Sequence, residues 1–542
     1  MSAISKLKHS RSNWKAKSSK SGIKVRYLQR ENIRIKKERN AYKKDARKTK
    51  KLLEQEIKDK TRQVKNKQER IYVALQLFLV ARIGFRAVSR VFDVLGDYLG
   101  VKKAPCAQTI INWVTRLSLT RIQGSSHLVG SQIHTDRFSN GFIWILDASI
   151  GLGSGKILTV LALDVNHHGQ NEGAPTLKKV HCIGVSVAST WTGESIADFL
   201  QKIIATLGRP VAYLKDGGTD LAKAVRLLSE RGLPSAIIDD ISHVVANLLK
   251  HEYYDHSMFK IFISSCGKVS KKLKQTALAC LAPPKVSTKA RFMNLHRLVK
   301  WADLLLKHSP RGGAAKGSIL SKLRASLDEL PGCRAFIRRF LRDATPLLEC
   351  QKVLKTNGLN QDSYKECQQL IKTIPASSPV RRGFETWAEE HLKVSKFFDL
   401  EKGAGLPISS DCIESLFGIA KQHGTGKIKD ANRIALRVPA LCGELTREDA
   451  KRVLNISVKE QCKIESSLSS LTKQRRQVLP NPGCLDKIKL DEAKQNLELI
   501  PRPKKQAKNL INCNISANYK KSNGLLININ FQVKPPPKIQ II

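Results

Sequence analysis

The sequence predicts an α/β protein. It expects a mixed five-stranded sheet flanked by helices, with a small helical unit ahead of it and a large all-helical block before its last helix. Three patterns carry that expectation. Between residues 142 and 188 three runs of β-forming residues follow one another, the first two within GFIWILDASIGLGSGKILTVLALDV. Between 192 and 253 helices and strands alternate, which sets parallel strands beside the first run. From about 257 to 404 the apolar spacing is helical and no strand pattern occurs. A chain of 542 residues is also too long for one core.

Residues 1–69 form a basic arm; 25 Lys/Arg stand against 7 Asp/Glu in the first 70 positions. Leu28, Ile35 and Tyr42 recur every seven residues, and the register fades through Thr49 and Glu56. The pattern fits a weak coiled coil that orders on a partner, and equally a solvated, floppy arm. Residues 70–125 hold three short helices. The first is IYVALQLFLVARIG, and the second carries Val88, Val91, Phe92 and Leu95 at helical spacing. After Gly100 and Pro105 the third, CAQTIINWVTRLSL, buries Ile110, Ile111, Trp113, Val114 and Leu117. This spacing matches a helix-turn-helix whose third helix presents Gln108, Asn112 and Arg116 to a major groove. Gln and Asn pair with adenine there and Arg with guanine. A bundle that touches no groove satisfies the same spacing.

Residues 126–256 carry the sheet. Strand one, 142–146, ends on Asp147. Gly151, Gly153 and Gly155 turn the chain into strand two, 157–165, and strand three is 180–188. Thr192 opens a helix, strand four (211–214) ends on Lys215-Asp216-Gly217-Gly218, and another helix follows. Strand five (236–238) ends on Asp239-Asp240 before a helix to Tyr253. The order 3-2-1-4-5 makes strands one and four adjacent and parallel. After the helical block 257–404, residues 405–425 form a last helix, SSDCIESLFGIAKQHG. Ser409 or Ser410 caps it, Ile413, Phe417 and Ala420 face inward, and Gly424 ends it. Residues 426–542 read as a basic C-terminal region with a largely disordered tail, since no acid follows Leu499.

Charge narrows the partners. With 95 Lys/Arg and 46 Asp/Glu the formal net charge is +49, an excess that a polyanion such as nucleic acid would neutralise. No apolar run reaches membrane-spanning length, and the N-terminus lacks a signal-peptide core, so a cytoplasmic protein is expected, nucleoid-associated in a bacterium. Twelve Cys without a CxxC pair argue against a zinc ribbon or a disulfide framework.

Three acids then stand out. Asp147 and Asp216 end adjacent parallel strands, and Glu414 lies in the first turn of a helix that can pack alongside. An isolated strand-end Asp is more often a capping or turn-forming residue than a functional one. Clustered carboxylates repel, and a hard divalent cation with oxygen ligands is their natural neutraliser. WILDAS around Asp147, YLKDGGTD around Asp216 and SSDCIESLFGIAK around Glu414 resemble the DDE transposases of bacterial insertion sequences. The resemblance covers about residues 126–425. It implies an RNase H-like core shared with retroviral integrases, with Asp147, Asp216 and Glu414 as catalytic, metal-binding residues. The implied cofactor is Mg2+, two ions, with Mn2+ able to substitute. The implied partners are double-stranded DNA, both element terminal repeats and target, and further copies of the chain in a homo-oligomer on DNA. Asp240 and His243 resemble the D-x-x-H often seen after strand five and are accessory candidates. Glu414 follows Asp216 by 198 residues, which implies an insertion.

Other acids fit structural roles. Asp164 should lie at the far edge, Asp220 in a first helical turn, and Asp239 or Asp240 at a cap. Glu385, Glu389 and Glu390 read as surface charges of the insertion. Lys421, seven residues after Glu414, shares its helix face and could meet a DNA phosphate, or simply be solvated. The 257–404 block suits a lid or DNA clamp as well as a packing subdomain. Rival functions are an RNase H-like nuclease that cuts without joining and a non-catalytic transposase-derived DNA-binding protein.

Overall fold

The computed structural model describes residues 3–58, 67–125, 141–150, 155–164, 174–285, 291–308, 314–327, 329–396, 398, 400, 403–422, 430–469 and 495–501. The turn residues Gly151 and Gly153, the terminator Gly424 and the tail beyond 501 lie outside them.

The arm forms one helix, α1 (Ala3–Lys58), a stretch without proline and rich in Lys and Arg. None of its described side chains is buried. Next come α2 (Lys67–Leu79), α3 (Phe85–Val94), α4 (Gly96–Leu99) and α5 (Ala107–Gly124). The α4 turn closes on Gly100 at φ 62°, the left-handed conformation glycine adopts without steric cost. Their core joins Ile71, Leu75, Phe78, Phe85, Val88 and Phe92 to Ile110, Trp113 and Leu117, with Phe78 and Phe85 stacked at 4.4 Å.

The sheet is built from β1 (Phe142–Ile150), β2 (Lys156–Asp164) and β3 (Val180–Ala188), then α6 (Gly193–Leu207), β4 (Ala212–Lys215), α7 (Thr219–Glu230), β5 (Ala236–Asp239) and α8 (Ile241–Tyr253). Strand order is β5-β4-β1-β2-β3, the expected five, with a sixth, β6 (Glu498–Leu499), added beside β3. β1 pairs antiparallel with β2 and parallel with β4, and β4 parallel with β5, so the protein is mixed α/β. Strand alternation sorts the two faces. Trp144, Leu146 and Tyr213 face α6 and α7, whereas Ile143, Ile145, Ala212 and Leu214 face α8 and the helices beyond it.

Residues 257–404 supply α9 (Ser257–Lys274), α10 (Arg291–His308), α11 (Ile319–Ser326), α12 (Arg334–Asn357), α13 (Gln361–Ile371) and α14 (Pro379–Ser395). They share one continuous core with the sheet, because α10, α12 and α14 all pack on α8. Tyr253 of α8 anchors the join: its hydroxyl donates to Asp343 Oδ2 on α12 at 2.6 Å. A bridge between Leu359 and Leu406 returns the chain to α15 (Asp411–Gln422), which packs on β1.

After α15 the described residues are 430–469 and 495–501, a stretch in which the sequence shows no clear periodicity. It forms α16 (Ala431–Ala435), α17 (Arg447–Arg452), α18 (Val458–Ser467) and β6 (Glu498–Leu499). These helices are too short to show a period in sequence. Side-chain caps from Asp430, Thr446 and Ser457 hold their starts. Ala440, Ala450 and Val453 complete the core of α2–α5, so that unit is built from both ends of the chain. Among the described residues no helix is long and apolar enough to cross a membrane.

Candidate active site

Asp147 does not end its strand, as the sequence suggested. β1 runs on to Ile150 opposite β2, and Asp147 instead ends the parallel pairing with β4, whose last matched pair is Leu146 with Lys215. One step further along that register sets Asp147 beside Asp216. Both have the alternation parity of Ile145 and Leu214, so both emerge on the α8 face.

The loop after β4 explains the pair of glycines in KDGGTD. Asp216 Oδ1 accepts from Gly218 N at 2.9 Å and folds the chain back toward α7. A Cβ on Gly218 would meet that same oxygen at 2.8 Å, and one on Gly217 would meet Asn247 Nδ2 at 2.7 Å.

Glu414 reaches the site through Asp240, which is 1% exposed. Asp240 Oδ1 caps α8, accepting from Ser242 N at 2.7 Å and His243 N at 3.1 Å. Its Oδ2 accepts from Ser410 N at 2.5 Å and Ser410 Oγ at 2.8 Å, and Ile241 N donates to Ile408 O at 3.0 Å. One buried carboxylate thus ties the starts of α8 and α15 together across 170 residues. Both helices then present their first turns to the strand ends, and His243 Nε2 lies 3.8 Å from Glu414 Oε1.

Electrostatics register the convergence. Burial pushes the Asp147 carboxyl up to about 7, and the negative charges of Asp216 and Glu414 push the same way. The amide of Ala148, 2.6 Å from Asp147 Oδ1, and the His243 ring oppose them. His243 is raised above the ordinary imidazole value, chiefly by the neighbouring Glu414 carboxylate. Four ionisable groups from β1, the end of β4, α8 and α15 therefore feel one another. Carboxylate oxygens are the donors a hard divalent cation takes. Among the described residues, however, no three acidic, His or Cys side chains close up to metal-holding distance.

The remaining acids take structural positions. Asp164 ends β2 opposite Phe142, five residues before Asp147, and Asp220 lies in the first turn of α7. Asp239 pairs with Lys215 at 2.6 Å, and its amide donates to His391 Nε2 of α14 at 3.0 Å. Burial lowers the His391 pKa, which keeps the ring neutral for that acceptor role. Glu385 pairs with Arg381 at 2.9 Å, and Glu389 Oε1 accepts from the Tyr364 hydroxyl at 3.2 Å. Lys421 lies in the last turn of α15 with its ammonium 5.7 Å from the centre of the Phe417 ring.

The groove-reading residues are a correction. Arg116 is buried, its guanidinium donating to Ile456 O at 3.2 Å, and burial lowers its pKa. Asn112 Oδ1 accepts from Gln108 Nε2 at 2.9 Å and from Gln461 Nε2 of α18 at 3.0 Å. Arg116 is thus withdrawn from any groove and the half-exposed Asn112 is engaged by α18, whereas Gln108 stays exposed. Sequence reading missed this cover because it comes from about 340 residues downstream. It also missed the bond from Asp240 to Ser410, although the doubled acid in IIDD and the paired serines of SSDC were visible.

A scan against models of protein families matched none of them to this chain, and a search of curated protein sequences found no match.

Proposed function

We propose that the chain is a DDE-type DNA transposase with an RNase H-like core, which cleaves a phosphodiester at element ends and joins the freed 3′-hydroxyl to target DNA. The observation that carries the proposal is that the β1–β4 register and the Asp240 tie bring Asp147 together with Asp216 and Glu414, 69 and 267 residues away in sequence. The raised Asp147 carboxyl agrees with this, although burial accounts for most of that shift. Strand register supplies the first pairing and the Asp240 tie the second, so three acids share one end of one sheet face.

Asp147, Asp216 and Glu414 are the residues that would hold Mg2+ or Mn2+ once they close up from the spacing seen here, and the metal would supply activation of water or a 3′-hydroxyl and stabilisation of the leaving oxygen. The protein's own contribution is orientation. Asp240 fixes the α15 start, Gly218 leaves room for the Asp216 carboxylate, and His243 steadies Glu414. The formal charge of +49 suits a double-stranded DNA substrate.

The decisive experiment incubates the purified chain with Mg2+ and DNA carrying the sequences that flank its reading frame. Cleavage followed by joining is expected. Asp147→Asn and Glu414→Gln should abolish both and leave DNA binding intact. Cutting without joining would make the protein a nuclease of the same fold. Full activity in either variant would remove that acid from the site.

A further inference from the structure

We propose that α1 pairs in parallel with α1 of a second copy of this chain along residues 25–50, leaving residues 3–24 as two basic forks. The pairing stands on the helix itself; only its coupling to DNA rests on the proposed function.

The helix is 56 residues long, about 84 Å at the usual rise. That is far more than one crossing of a major groove can use, so a groove alone does not account for it. Its apolar side chains are unpartnered: Leu28 is 52%, Ile35 51% and Tyr42 76% exposed. They fall on one seven-residue seam with Val25, Asn32, Arg39, Ala46 and Thr49, which alternate at the three-and-four spacing of a coiled coil. Asn32 occupies an inner position, where a single Asn selects two strands and fixes their register.

Charge decides what covers the seam. In a parallel pair each residue just before an inner position faces the residue five further on in the partner helix. At those positions stand Glu31 and Lys36, Glu38 and Lys43, Asp45 and Lys50, every acid between 31 and 45 matched by a lysine. Two copies would form both members of each set. Glu31 pairs with Arg34 of its own helix at 2.5 Å, a solvent-accessible contact with which the partner's Lys36 would compete. Residues 25–50 still hold eleven Lys/Arg beside these three acids, so net charge does not separate this stretch from 3–24; what favours a second copy here is that all three acids stand where a partner lysine would face them.

The N-terminal stretch reverses the rule. Residues 3–24 hold seven Lys/Arg and no acid, and the flanking positions carry Lys8, Lys15 and Lys17. Two copies repel there, and polyanion is what such a stretch accepts. The seam is short and interrupted by Arg39, so pairing should strengthen when DNA screens the forks.

The test uses the full chain carrying Ile35→Cys, an inner position, or Lys37→Cys on the opposite side of the helix. Cross-linking is read under mild oxidation, free, with a random-sequence duplex, and with heparin. Ile35→Cys should give a covalent dimer, most strongly with a polyanion, while Lys37→Cys matches the parent chain with its native cysteines. Glu38→Lys should weaken the dimer by about tenfold, and adding Lys43→Glu should restore it. Equal cross-linking at both positions, one chain per duplex with no cross-link, or no rescue by the second charge change would overturn the pairing. A chain with no affinity for DNA would sink the proposed function, while the heparin and free arms would still judge the pairing.

Discussion

The sheet face that carries Asp147 and the helix α5 are both finished by chain arriving from far away, with opposite consequences. At the sheet, Ser410 binds Asp240 and delivers Glu414 to the strand ends. At α5, Ile456 and Gln461 bind Arg116 and Asn112 and take polar groups out of use. The chemistry is similar in each case, a charged or amide side chain meeting backbone and hydroxyl groups across hundreds of residues. What differs is the register behind it. Asp147 and Asp216 are aligned by a parallel ladder that fixes both their positions and their face, so the returning helix has a place prepared for it. No such ladder holds the face of α5 open, and the nearest segment with short capped helices covers it.

The comparison breaks most sharply at Asp240. Replacing it with Ala removes acceptors from four backbone or hydroxyl donors, with no water to substitute at a side chain this buried. The expected loss is about 3–4 kcal/mol of folding stability, followed by denaturant unfolding. Hydrogen exchange should quicken at the starts of α8 and α15 together, more than in α6. Equal protection of all three helices would mean that the α15 position does not depend on the tie.

Asp147 gives the next effect, through pH. Its folded-state carboxyl sits near 7 against an ordinary value near 4, so the unfolded chain releases this proton first as pH rises. The destabilisation is therefore absent below about pH 4, grows between 4 and 7, and stays at its full size above. Allowing for the solvent that reaches a half-buried side chain, Asp147→Asn should be more stable than the parent by about 2 kcal/mol at pH 8 without divalent cation. The gap should close at pH 4. His243, raised in the folded state, adds stability below its unfolded value that is lost as pH climbs through the folded one, so His243→Gln should flatten part of the remaining slope. A constant difference between parent and Asp147→Asn across that range would show that the Asp147 carboxyl is not raised in the folded chain.

These magnitudes bear on what the sequence could reveal. Strand order was legible because three β runs followed by alternating helix and strand leave few topologies, and the acid pair followed from that order. The 257–404 block was legible as helix, because long amphipathic spacing persists in α9, α10, α12 and α14. Its sharing of one core with the sheet was not, since that depends on α8 offering a second apolar face. The helices α16 to α18 escaped detection for a different reason: five to ten residues cannot display a 3.6-residue period. β6 is two residues long and is held by Asn432, whose Oδ1 accepts from Leu497 N at 2.8 Å.

Arg116 separates the two accounts of α5. If its role is to hold residues 456–461, Arg116→Ala should lower stability by about 2 kcal/mol, because Ile456 O loses a charged donor and a cavity opens. Binding to element ends and to random duplex should then fall by the same factor. Loss confined to element ends, with stability unchanged, would return this face to the groove and make its cover an alternative state.

The smallest effect tests the site from the side of space. Gly218 precedes α7 at φ −67°, a conformation open to any residue, so alanine there meets no backbone penalty. Its methyl group would, however, lie 2.8 Å from Asp216 Oδ1, and the carboxylate would have to rotate away from the amide that now orients it. Gly218→Ala should therefore cost only about 1 kcal/mol of stability. On the proposed function it should still lower cleavage far more than that loss can explain, since the displaced carboxylate is one of the three acids assigned to the site. Ala substitution at Gly232 supplies the contrast: nothing lies within 4 Å of its Cβ position, but φ is +78°, so the penalty is backbone strain remote from the acids. Cleavage rates at a temperature where both variants remain folded should drop for Gly218→Ala and hold for Gly232→Ala. Equal rates in the two would mean that the position of the Asp216 carboxylate does not limit the reaction.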